Sequence, residues 1–119
     1  MFFNTEEARK QVEVFLTADW HPYAERPLNE EEKEYARAYL EYILFTHNVW
    51  RGEFNLKARG LLPEEIRQQF VQVKNRLEQA EAALADKTMA GILMFDVSEV
   101  LNTPIYRVWK KNVELIMGW

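Results

Sequence analysis

Between residues 63 and 86 the apolar side chains Ile66, Phe70, Val73, Leu77, Ala80 and Leu84 recur at steps of 4, 3, 4, 3 and 4. That alternation keeps one face of an α-helix apolar for nearly three heptads. A strand has no use for it, because every second side chain of a strand returns to the same face. The residues between are mostly Glu, Gln, Arg and Ala, all good helix formers. A straight helix is expected, packed at a shallow angle within a bundle or against a second copy of the chain. Pro63 suits its first position, where the missing N–H costs nothing.

Turn signals divide the rest of the 119 residues into further helices. Asn4 and Thr5 offer side-chain acceptors to exposed amides, and Glu6 and Glu7 favour the positive end of a first helix running to about residue 18. Ala8, Val12, Phe15 and Asp19 align on one of its faces. Pro22 and Pro27 impose a loop over 19–28, and Pro22 pushes His21 out of the α region. Asn29, with Glu32 three residues on, forms a capping-box pattern for a second helix ending near residue 50. Tyr35, Ala36, Tyr39, Leu40, Tyr42, Ile43, Leu44 and Phe45 are too many for one stripe, so this helix is expected at the centre. Gly52 and Gly60 frame a loop over 51–62. Residues 87–95 suit a helix, although the apolar run 89–95 alone also suits a buried strand. Asp96 is expected to cap a short helix over 97–101. Thr103 and Pro104 are expected to open a last one over 105–117, with Ile105, Trp109, Val113 and Ile116 inward. No run alternates as an amphipathic strand would. The chain is therefore expected to be all-α, a single-domain bundle over 1–119 of four to five helices, mostly antiparallel.

A composition 48% hydrophobic and 29% charged lies outside the disordered class, and a chain of this size builds a core without disulfides or a structural metal. There is no cysteine, which fits a reducing, cytoplasmic setting. The opening residues lack the basic and apolar regions of a signal peptide. The most apolar stretch stops at Asp96, far short of the ~20 residues of a membrane span. The formal net charge of -4 is spread over both halves, without the single-sign field of a nucleic-acid or membrane binder.

Most chemistry fails at the level of residue type. The one serine, Ser98, stands in Asp-Val-Ser-Glu and not in a nucleophile elbow. Gly52, Gly60, Gly91 and Gly118 are too scattered for a phosphate-binding loop. Di-iron bundles need Glu-x-x-His pairs, yet Ala18 and Leu44 stand three residues before His21 and His47. No His-Glu-x-x-His zinc motif is present. Glu30, Glu31, Glu32 and Glu34 occupy a first helical turn, where the dipole accounts for them, and Glu78 follows Lys74 by one turn as a surface pair would. No catalytic, cofactor or metal site is expected. Arg107, Lys110 and Lys111 lie beside Tyr106 and Trp109 on the last helix, which a helix-turn-helix would use as its reader; a small DNA-binding regulator is the alternative they raise.

Sixteen residues are aromatic, and several fall outside the helical seams. Trp20, Tyr23, Trp50 and Phe54 occupy the expected loops or their edges, and Trp and Tyr bring large contact area at small entropic cost. The function expected is non-enzymatic protein binding, as a small regulator, adaptor or assembly factor. Trp20, Tyr23, Trp50 and Phe54 are its candidate contacts, with Ile66, Phe70, Val73 and Leu77 of the seam for self-association as a homodimer. The stretch from Phe95 through Asp96, Ser98, Asn102 and Pro104 to Ile105 resembles the C-terminal part of some phage tail-assembly chaperones. That resemblance covers about a tenth of the chain and implies an assembly role, without assigning any residue a function.

Overall fold

A computed structural model describes residues 5–21, 24–51 and 64–101, with 47–51 described by backbone alone. Four α-helices run through these residues: α1 (Thr5–Leu16), α2 (Glu30–Arg51), α3 (Glu64–Ala83) and α4 (Thr88–Leu101). The fold is an all-α bundle, as the helical periodicities require. Among the described residues the nearest approach to sheet is one isolated bridge between His21 and Arg26.

The central helix is α2, which packs against α3, α4 and α1, while α1 also packs against α4. Its register with two neighbours is fixed by forked ion pairs. On α1, Arg9 pairs with Glu41 at 2.8 Å and Glu13 with Arg37 at 2.7 Å. Residue numbers rise on one helix as they fall on the other, so α1 and α2 are antiparallel. On α3, Arg76 pairs with Glu34 at 2.7 Å, and Phe70 meets Tyr42 and Phe45, which sets α3 antiparallel to α2 as well. Tyr35, Ala36, Ala38, Tyr39, Leu40, Tyr42, Ile43 and Leu44 of α2 are all buried. That near-continuous burial is what a helix apolar on most sides should show.

The ends of the helices carry their own chemistry. Asn29 Oδ1 accepts from the Glu32 amide at 2.8 Å, and Glu32 Oε1 accepts from the Asn29 amide at 2.9 Å, so the capping box closes in both directions. Between α3 and α4, Lys87 Nζ donates to the carbonyls of Glu81 and Ala82 at the negative end of α3, and the Glu81 carbonyl also accepts from the Leu84 amide. Asp86 Oδ1 accepts from both the amide and the hydroxyl of Thr88, starting α4.

Two expectations change. Asp96 does not cap a short helix: α4 runs unbroken from 88 to 101. The start signal is supplied by Asp86, and Leu93, Val97 and Leu101 keep burying at four-residue steps through the position of Asp96. An aspartate inside a helix costs only about 0.5 kcal/mol against Ala, which that burial outweighs. The alternative of a strand over 89–95 is settled as helix. In α1 the buried residues are Ala8, Val12 and Leu16, whereas Asp19 lies past the helix end and is exposed. The expected helix over 105–117 lies outside the described residues.

Candidate interaction surface

The loop from α1 to α2 is held at many points. At its start the Thr17 amide and hydroxyl both donate to the Glu13 carbonyl. The His21 amide donates to the Arg26 carbonyl at 3.1 Å and the Glu25 amide to the His21 carbonyl at 2.7 Å. Glu25 closes this turn with φ of 56°, a conformation that L-residues with a Cβ seldom adopt. Arg26 then forks onto the Glu32 carboxylate at 2.7 and 3.0 Å and donates to the Pro27 carbonyl. The capping carboxylate of α2 is thereby the anchor of the loop before it.

His21 is the buried residue of the loop, 4% exposed, with its ring edge-on to Phe15 at 4.6 Å between centroids. Its Nε2 meets no hydrogen-bond partner among the described residues. Asp96 of α4 comes close enough for the two groups to act on one another. Burial lifts the Asp96 carboxyl above the usual aspartate range and the charge of Glu99 lifts it further, while the imidazole of His21 works in the opposite direction.

Two large rings next in sequence to these residues are exposed. Trp20, immediately before His21, is 59% exposed, and Phe95, immediately before Asp96, is 56% exposed. Helical geometry turns Phe95 away from the buried Ala90, Leu93 and Val97, with Gly91 and Glu99 one turn to either side on the same outward stripe. Asp19, next to Trp20 in sequence, and Glu99, one turn after Phe95, are also exposed.

Of the residues proposed from sequence, Trp20 is therefore on this surface. Tyr23 and Phe54 lie outside the described residues, as does the side chain of Trp50, whose backbone is in the last turn of α2. The seam residues point into the bundle. Phe70 is fully buried between Tyr42 and Phe45, Leu77 is buried, and Ile66 and Val73 are half-buried. A second copy would have to displace α2 to reach Phe70 or Leu77. Arg107, Lys110 and Lys111 lie outside the described residues. The sequence does not single out Phe95, because an aspartate at 96 reads equally as a helix boundary. A continuous helix through that position places it outward.

Ser98 is engaged in structure, its Oγ and the Tyr39 hydroxyl lying 2.6 Å apart. Of the clustered glutamates, Glu32 and Glu34 are tied to arginines, whereas Glu30 and Glu31 are exposed. Among the described residues no group of three or more His, Cys, Asp or Glu is arranged to hold a metal ion, and no helix is long and apolar enough to cross a membrane. The chain matches no protein-family model, no curated protein and no solved structure.

Proposed function

We propose that the chain is a non-enzymatic protein-interaction module, a small regulator, adaptor or assembly factor, and that it binds through the surface bearing Trp20 and Phe95. What supports this is the exposure of two large aromatic rings, Trp20 in the loop before α2 and Phe95 on α4, each more than half exposed. A bundle that can bury twenty-one apolar residues in one core has no packing reason to leave Trp and Phe outward, and such rings are the side chains most enriched at interface anchors. A cytoplasmic setting accompanies the proposal and rests on the cysteine-free composition. A photo-crosslinking phenylalanine analogue placed at position 95, in the organism that makes the protein, tests it against the same analogue at the exposed position 31. A discrete protein adduct from 95 and none from 31, weakened about tenfold by Trp20→Ala, is the expected result. Equal labelling from both positions, or none from either, would sink it.

A further inference from the structure

We draw no further inference here: the strongest candidate, the outward face of α4 that carries Gly91 and Phe95, is exposed, and nothing in the structure shows what covers it.

Discussion

Glu32 joins three separate jobs in one carboxylate. It accepts from the Asn29 amide, forks onto Arg26 and sits buried, 3% exposed. Glutamine could keep the acceptor for the amide but would lose the charge that Arg26 grips, leaving a buried group partly unmatched. Glu32→Gln should therefore cost about 1–3 kcal/mol in urea unfolding at neutral pH. Exposed Glu31→Gln should stay within about 0.5 kcal/mol. Half of this arrangement was legible in the sequence, because the Asn29-x-x-Glu32 spacing by itself specifies a capping box. The other half was not. Arg26 reaches Glu32 only because the loop turns back at Glu25, and that turn depends on a positive φ at a residue type whose local preference gives no warning of it. His21 shows the same limit: Pro22 disfavoured a helical backbone there, but nothing local foretold a buried ring against Phe15 and near Asp96.

At the level of helices, the strongest periodicity became the closest packing. Phe70 fills the space between Tyr42 and Phe45 with no exposure, so Phe70→Ala should cost about 3–5 kcal/mol, while the half-buried Val73→Ala should cost clearly less. Equal costs would mean that the seam is not anchored where the rings meet. Gly91 lies inside α4, exposed, with open space where a Cβ would go. Gly91→Ala should stabilise the fold by about 0.5–1 kcal/mol, read as a raised melting temperature. The seam and the central position of α2 could be read from apolar spacing because burial and period coincide there. The course of α4 could not, since an aspartate is ambiguous between cap and interior until its neighbours are placed. The continuous course of α4 through Asp96 is also what turns the Phe95 ring outward.

The molecule as a whole should lose stability to acid in a predictable window. Arg37, Arg26 and Arg76 hold the carboxyls of Glu13, Glu32 and Glu34 below the ordinary glutamate value of 4.5. A carboxyl depressed in the folded state contributes stability that is full above 4.5 and is lost as pH falls through the folded values. Asp96 acts in the opposite sense: its raised carboxyl imposes a penalty at neutral pH that protonation relieves. Asp86, held low by its bonds from Thr88, acts in the same sense as the three glutamates, so the net trend is a loss and melting temperature should be flat from pH 7 to about 5 and fall below 4.5. The triple variant Glu13→Gln/Glu32→Gln/Glu34→Gln should melt lower at neutral pH and show a shallower acid limb. The position of α2 has one more consequence, for the order in which the protein can be made. Its partners lie on both sides of it along the chain, with α1 before and α3 and α4 after. A nascent chain ending at residue 51 can form the Arg9–Glu41 and Glu13–Arg37 forks, yet the surfaces of Tyr42 and Tyr39 that await Phe70 and Ser98 are still bare. Until α4 has cleared the ribosome, the central helix of the bundle is a client for whatever holdase the cell provides.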